Sequence, residues 1–339
     1  MIEESNYSLK QLNTFGLDVS ASTLVRITTK DQLPQLFKSD KFRTQRKMIL
    51  GGGSNVLFTK NFIGLIIKLE VSGVEIIEED DDQAIVAFGA GENWHGCVQW
   101  AIDQNLGGIE NLSLIPGTIG AAPMQNIGAY GVEIKDIFHS LTAYEIDTGK
   151  FVTFYKEDCH FDYRYSIFKG KARDRYIITQ VNLRLTKKNH VYNIDYGNLK
   201  QTLTEVGVQE LSLENISRAI IQIRQSKLPD PNQIGNAGSF FKNPVVNSDF
   251  FEALKSAFEH IPGYAHSDNS IKVPAAWLIE YCGWKGKRFG DAGVHDKQSL
   301  VLVNHGKATG KELVQLSKKI QASVQSTFGI ALQPEVNFI

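Results

Sequence analysis

Ile115-Pro116-Gly117-Thr118-Ile119-Gly120-Ala121-Ala122-Pro123-Met124-Gln125-Asn126-Ile127-Gly128-Ala129-Tyr130-Gly131 is the stretch on which the reading of this chain turns. Extended back to Asn111, it holds four glycines and two prolines. It shows neither the 3.6-residue period of a helix nor the alternation of a strand. Loops of that length are uncommon inside compact domains, and the ones that occur usually wrap a ligand. A second glycine cluster, Gly51-Gly52-Gly53-Ser54-Asn55, follows the apolar run Met48-Ile49-Leu50. Taken alone, that cluster is equally well a plain turn.

Around these two loops the pattern mixes strands and helices without regular alternation, which predicts an α+β fold. The first 70 residues read as short strands with one helix, Leu65-Ile66-Ile67 being one of the strands. Val74–Ile77 and Ala84–Phe88 read as a hairpin around the acidic run 78–82, itself a solvated turn. Residues 93–105 read as a helix with Trp94, Val98, Ala101 and Ile102 on one face, and 177–185 as a strand. Ser212 is placed to cap a helix carrying Ile216, Ile220 and Ile223. Lys227-Leu228-Pro229-Asp230-Pro231 breaks that helix and marks the best domain boundary. Beyond it we expect helices from Ser248 and from Pro274 and a strand over 299–303. A last helix over 311–328 would end at Gly329.

The chain has 339 residues, 42% hydrophobic and 22% charged, which suits two or three folded domains. Thirty-six basic residues against 37 acidic ones give a net charge of -1, which argues against a nucleic-acid or membrane-surface binder. Cys97, Cys159 and Cys282 lie far apart and the histidines are scattered, so neither disulfides nor a metal site is expected. The polar start Met1-Ile2-Glu3-Glu4 lacks a signal-peptide pattern, and no apolar run reaches the ~20 residues of a spanning helix. A reducing, cytoplasmic setting is therefore expected.

Several familiar site motifs fail. Gly51-x-Gly53 has Val56, and Gly89-x-Gly91 has Trp94, where the dinucleotide fingerprint needs its third glycine. The run from Gly306 to Lys311 resembles a phosphate-binding loop in composition only, with Glu312 in place of the Ser or Thr that would hold magnesium. Ser239-Phe240-Phe241-Lys242 followed by Ser267-Asp268-Asn269 imitates the acyl-serine signature of penicillin-binding enzymes. The gap is too short, however, and Lys307-Ala308-Thr309-Gly310 carries an inserted residue.

Six motifs in register do hold. They are Gly51–Asn55, Ile115–Pro123, Gln125–Gly131, Tyr163-Arg164-x-Ser166-x-Phe168-Lys169, Lys227–Pro231 and Gly235–Pro244, followed by the ending Pro334-Glu335-Val336. Together they resemble the UDP-N-acetylenolpyruvoylglucosamine reductase (MurB) family, type I, from Asn13 to the C-terminus. The resemblance implies an FAD-binding fold of the PCMH, or vanillyl-alcohol-oxidase, type. That flavin domain would have two lobes (1–72 and 73–228, with a tyrosine loop near 188–200). A smaller α+β substrate-binding domain (229–329) and a terminal strand (330–339) would follow. This fold is not a Rossmann fold, which fits the missing fingerprint.

The resemblance also implies non-covalent FAD, with NADPH as hydride donor and UDP-N-acetylglucosamine enolpyruvate as substrate, and no obligate protein partner. Glycine turns would let backbone N–H groups approach the flavin pyrophosphate, because no Cβ intrudes. The residues expected at the cofactor are Gly51, Gly52, Gly53, Ser54, Asn55, Pro116, Gly117, Gly120, Ala121, Asn126, Gly128, Ala129 and Tyr130. Hydride arriving at the enolpyruvyl carbon puts charge on its neighbour and carboxylate, so a fixed cation and an acid are required. Arg164 matches the cation, Ser239 the proton donor and Glu335 the third catalytic residue. Tyr196, Lys227, Asn243 and Gln298 match substrate contacts. One departure stands out: Tyr165 occupies a position where the family commonly carries an acid. Two other readings compete, a flavin oxidase of the same superfamily and an inactive flavin-binding module. Intact Arg164, Ser239 and Glu335 argue against the second.

Overall fold

The computed structural model describes residues 2–266 and 269–339; Met1, and Ser267 and Asp268 of the acyl-serine look-alike, lie outside the described residues. By contacts the chain groups into two compact units. The first comprises Met1–Tyr7, Ala21–Gly53 and Ile63–Ser226, and the second Ser8–Ser20, Ser54–Phe62 and Lys227–Ile339.

The first unit contains two large sheets besides the short pairing of Gly128–Ala129 with Val132–Glu133. Strands Glu3–Ser8, Ser20–Ile27, Phe62–Leu69 and Lys47–Leu50 lie in that spatial order, the last two parallel with Lys47 opposite Leu65. Their apolar face is covered by Leu33, Leu36, Phe37 and Phe42. Those four residues come from two short helices, Gln32–Phe37 and Asp40–Thr44, where the sequence pattern suggested one. Ser39 is extended between them at φ -80° and ψ 122°, which breaks the helical run.

The second sheet of this unit is antiparallel throughout: Lys150–Tyr155, Phe138–Glu145, Tyr176–Thr186, Gln83–Gly89, Val74–Glu79. The acidic hairpin turn expected between its last two strands is present, with Asp80 Oδ1 accepting from the N–H groups of Asp82 and Gln83. Helix Trp94–Asp103 packs Trp94, Cys97, Val98 and Ala101 into the same core. Its N-terminus is capped by Asn93, whose Oδ1 accepts from Gly96 N–H at 2.9 Å. Helix Leu213–Lys227 begins as expected after Ser212, whose hydroxyl accepts from Asn215 N–H at 3.1 Å. It buries Ile216, Ile220 and Ile223 against Leu199 and Leu203.

The second unit carries the sheet Gly235–Ser239, Val301–Asn304, Ala292–Val294, Arg288–Phe289. A three-stranded sheet joins Val245–Asn247, Ser270–Lys272 and Tyr264–Ala265. The strand expected over 299–303 starts only at Val301. Gln298 closes a turn onto Val301 N–H, and the Ser299 hydroxyl is turned onto the Ala276 carbonyl at 2.6 Å. Helix Gly310–Phe328 has a full capping box between Thr309 and Glu312, and Gly329 ends it at φ +69°. The chain terminus, Asn337–Phe338, pairs parallel with Val56–Leu57.

Candidate functional site

In the first unit the two glycine loops meet backbone to backbone. A Cβ on Gly52 would stand 2.8 Å from the Gly117 Cα, and one on Gly51 would stand 2.5 Å from Thr118 Oγ1. Gly120 is equally confined, 2.6 Å from the Ala90 methyl. The glycines therefore do more than reverse the chain, since any larger residue would force the loops apart. Gly53, the last of its cluster, turns at φ +64°. Pro116 and Ala121 are exposed on the neighbouring loop.

The Tyr163–Lys169 motif braces this long loop at three points. The Ser166 hydroxyl donates to Met124 O at 2.8 Å, Lys169 Nζ to Gln125 Oε1 at 3.0 Å and the Arg164 guanidinium to Gly128 O at 3.0 Å. Arg164 itself has φ +53° and lies with its guanidinium carbon 5.3 Å from the Tyr163 ring centroid. Tyr165 pairs its backbone with Asp162, and its hydroxyl occupies the space a Cβ at Gly170 would need. The Arg164 contacts to Gly128 and Tyr163 thus do not depend on an acid at position 165.

Asn126 is buried at φ +46° and fully engaged within the loop. Its Nδ2 donates to Glu133 and to the Asp162 carbonyl, and its Oδ1 accepts from Lys135 N–H. The side chain therefore shapes the turn that presents Gly128, Ala129 and Tyr130. Burial raises the Tyr130 phenol above its ordinary value, and its ring lies 6.3 Å from that of Tyr196 in an edge-to-face arrangement. Tyr196 remains 57% exposed on the segment that precedes helix Leu199–Glu205.

One basic residue of this unit belongs to none of those motifs. Arg224, on helix Leu213–Lys227, has a buried Nε with no hydrogen-bond partner among the described residues. Burial pulls its guanidinium pKa down, and it acts electrostatically on Tyr130 and His95. The signal was readable: Arg224 falls four residues after the core residue Ile220, on a face that should be apolar. Taking a cation out of water is costly, and a bound anion would relieve it. With the two appressed glycine turns it gives the residues of this unit the chemistry to hold a phosphorylated cofactor such as FAD.

The second unit gathers a different set. Ser239 ends the strand Gly235–Ser239 just after Gly238, which has φ +66°, and a register shift between Asn236 and Ser239 leaves the serine exposed. The next residues, Phe240 and Phe241, are buried anchors. They pair with the chain end: Glu335 N–H donates to Phe240 O at 2.8 Å, and Lys242 N–H to Gln333 O at 2.9 Å. Asn55 holds the same end, its Nδ2 donating to Glu335 O at 3.4 Å and its carbonyl accepting from Asn337 N–H at 3.1 Å. Ser54 and Asn55 thus belong with Ser239 and Glu335, whereas Gly51–Gly53 belong with Arg164.

Asn243 is half-buried and its Oδ1 accepts from Ala275 N–H at 3.0 Å, the first turn of helix Ala275–Tyr281. Gln298 forms the turn before Val301, and Lys227 is exposed at the end of its helix. Among the described residues no group of three or more His, Cys, Asp or Glu side chains is gathered as for a metal ion.

Comparison with known proteins gives consistent likenesses. Residues 230–339 match the family of the UDP-N-acetylenolpyruvoylglucosamine reductase C-terminal domain, and residues 21–155 match the FAD binding domain family. The sequence is 50% identical over 336 residues to the UDP-N-acetylenolpyruvoylglucosamine reductase of Flavobacterium johnsoniae, covering 99% of both chains. It is 46% identical over 336 residues to that of Amoebophilus asiaticus, again covering 99% of both. In fold it is similar to UDP-N-acetylenolpyruvylglucosamine reductase from Thermus caldophilus, with TM-score 0.68 at 22% identity over 99% of this chain and 98% of that one. A more distant likeness, TM-score 0.50 at 11% identity over 94% of this chain and 83% of the other, is to 6-hydroxy-D-nicotine oxidase from Arthrobacter nicotinovorans.

Proposed function

The chain belongs to the UDP-N-acetylenolpyruvoylglucosamine reductase family, and from that premise we propose that Arg164, Ser239 and Glu335 carry its chemistry. It is an FAD-dependent oxidoreductase that reduces UDP-N-acetylglucosamine enolpyruvate with NADPH. The observation that carries the reading is the 50% identity to a reductase of this name over 99% of both chains.

Bound FAD supplies hydride transfer from NADPH to the enolpyruvyl methylene carbon. Everything else falls to the protein. The glycine turns at Gly51–Gly53 and Gly117–Gly120, with Ala121, Gly128, Ala129 and Tyr130, hold the cofactor; Ser54, Asn55 and Pro116 extend that set. Arg164 holds the substrate carboxylate, because a guanidinium stays charged and meets a carboxylate with two parallel N–H groups. Its tie to Gly128 O fixes it before substrate arrives.

Ser239 delivers a proton to the carbon next to the carboxylate. A hydroxyl is intrinsically a poor acid, so this role requires a held position. The pairing of Phe240 and Lys242 with the chain end supports that reading. Glu335, on the paired segment, orients the group being protonated. Tyr196 covers the UDP-sugar, Lys227 meets its phosphates, and Asn243 and Gln298 complete the substrate contacts. Asn243 Oδ1 is taken by Ala275 N–H, so its amide nitrogen is the group offered to an acceptor.

We also assign residues 1–72 and 73–228 as the two flavin-binding lobes, 229–329 as the substrate-binding domain and 330–339 as the strand that delivers Glu335. A cytoplasmic setting is part of the same reading. Among the described residues no helix is long and apolar enough to cross a membrane.

The test is a single absorbance experiment on purified holoenzyme. NADPH should bleach the flavin bands, and enolpyruvyl-UDP-GlcNAc should restore them without oxygen. Restoration by oxygen alone would overturn the reductase reading in favour of an oxidase.

A further inference from the structure

Asn111 is fully buried, yet its carboxamide joins two segments distant in sequence. Its Nδ2 donates to Tyr130 O at 2.8 Å and to Asn193 O at 2.7 Å. Both amide hydrogens are thereby engaged, and among the described residues the buried Oδ1 has no hydrogen-bond partner. An orphaned buried acceptor is unfavourable, so the side chain is held there by its two donor bonds. Asn193 returns the tie, its Nδ2 donating to Gly131 O at 3.2 Å. The approach is close enough that a Cβ on Gly131 would stand 3.1 Å from the Asn193 amide, at a φ of +82°.

These bonds bind the tyrosine segment to the end of the glycine loop. The segment 190–195 has no regular secondary structure, and Val191 on it is 88% exposed. Its inward contacts are Tyr192 and Ile194, packed against the cluster around Leu199 and Ile220. Tyr196 lies three residues beyond Asn193 and meets the Tyr130 ring edge to face. Asn111 thus grips the backbone of Tyr130 directly and that of Tyr196 through a three-residue lever.

We propose that Asn111 is a positioning residue for the reaction, one that presets Tyr196 for the UDP-sugar by joining the 190–198 segment to the Tyr130 turn. The proposal rests on the reading of Tyr196 as a substrate contact. An aspartate here would place acceptors against two carbonyl oxygens, and an alanine would leave both carbonyls without their donor. Only a carboxamide of this length supplies two N–H groups from one buried nitrogen.

The experiment is peptide-level hydrogen exchange on the FAD-loaded enzyme without substrate, comparing wild type, Asn111→Leu and Asn193→Ala. Leucine keeps the side-chain volume and removes both donors. Exchange in 190–198 and 128–131 should rise at least about fivefold in Asn111→Leu, the factor carried by one hydrogen bond of about 1 kcal/mol. The strands of the five-stranded sheet should keep wild-type exchange. Asn193→Ala removes only the Gly131 tie at a half-exposed position and should show a smaller rise in the same two peptides. If Asn111→Leu does not fold, the nearly isosteric Asn111→Asp, which cannot supply both N–H groups, takes its place and should raise exchange in the same two peptides. In turnover, KM for enolpyruvyl-UDP-GlcNAc should rise by a larger factor than kcat falls. Wild-type exchange in 190–198, or a rise spread over the whole first unit, overturns the proposal. An enzyme that ignores enolpyruvyl-UDP-GlcNAc defeats the assigned function instead, and the exchange result still judges the brace.

Discussion

The main-chain N–H of Glu335 donates to the carbonyl of Phe240 at 2.8 Å, which fixes the C-terminal carboxylate residue beside the residue that follows Ser239. The two are 95 positions apart in sequence, so the pairing is a long-range choice of the fold. It sets Ser239, the residue proposed as proton donor, and Glu335 on adjoining backbones next to the buried rings of Phe240 and Phe241.

Ser239→Ala should separate the two half-reactions. Bleaching by NADPH involves no protonation of the substrate carbon and should stay near the wild-type rate. Reoxidation by enolpyruvyl-UDP-GlcNAc should slow by about 10²–10⁴-fold, the usual cost of losing a positioned general acid. Cysteine should be the milder replacement, since a thiol can still donate. Stopped-flow absorbance reads each step, and unchanged reoxidation would reduce Ser239 to a turn residue.

Arg164→Lys should keep the positive charge but lose the paired N–H geometry. The KM for the enolpyruvyl substrate should rise roughly tenfold to a hundredfold, from about 1.5–3 kcal/mol for hydrogen bonds to a charged group. The KM for NADPH should change far less. Steady-state kinetics with each substrate varied in turn decides it, and equal rises would remove the carboxylate assignment.

Gly52→Ala should weaken FAD retention. The new methyl would stand 2.8 Å from backbone, at Gly117 Cα, so the loops must separate. Overpacking of this kind costs about 1–3 kcal/mol, roughly fivefold to 150-fold in affinity. The ratio of flavin to protein absorbance after gel filtration measures the loss.

FAD should be released intact by acid precipitation, leaving a colourless pellet. The thiols of Cys97 and Cys159 are buried and pushed up to about 12, which removes their nucleophilic form at neutral pH. His95 lies beside the glycine loop, but its Nδ1 accepts from Leu114 N–H at 3.0 Å. Flavin absorbance retained in the pellet would contradict the argument.

Glu110→Gln should stabilise the protein at pH 8 and not at pH 4. Burial raises the Glu110 carboxyl above its ordinary 4.5, against the pull of the Gly108 N–H that donates to it at 2.7 Å. A raised folded-state pKa means that its contribution is fully present below the unfolded value. It is lost as pH climbs through the folded one. Glutamine keeps the acceptor for Gly108 and removes the charge. Melting temperatures of both proteins at the two pH values test this, and an equal difference at both would refute it.

Much of the local structure was legible in the residues. Asn93 and Ser212 cap the helices they precede, Gly329 ends the last one, and the acidic run closes its hairpin at Asp80–Asp82, with Glu78 and Glu79 in the strand before it. In each case the deciding hydrogen bond or dihedral spans four residues or fewer, so sequence spacing specifies it. The one helix expected in the first 70 residues is two, because Ser39 turns extended between Gln32–Phe37 and Asp40–Thr44. The strand over 299–303 misled because Ser299 binds the Ala276 carbonyl, a partner 23 residues away.

At the site the same division holds, with the family resemblance supplying the names. The motifs marked Arg164, Ser239, Glu335 and the glycines by their order along the chain. They said nothing of Asn111, which reads as an ordinary polar residue until Tyr130 and Asn193 close around it. Nor did they single out Ser166 and Lys169 as braces for Met124 and Gln125, 42 and 44 residues away. By itself the sequence determined the residue types and turns that flavin chemistry requires, because glycine conformation, capping and charge are properties of short segments. Tertiary structure alone decided which carbonyls those side chains hold, because a hydrogen bond between distant residues forms only once packing has brought their two segments together.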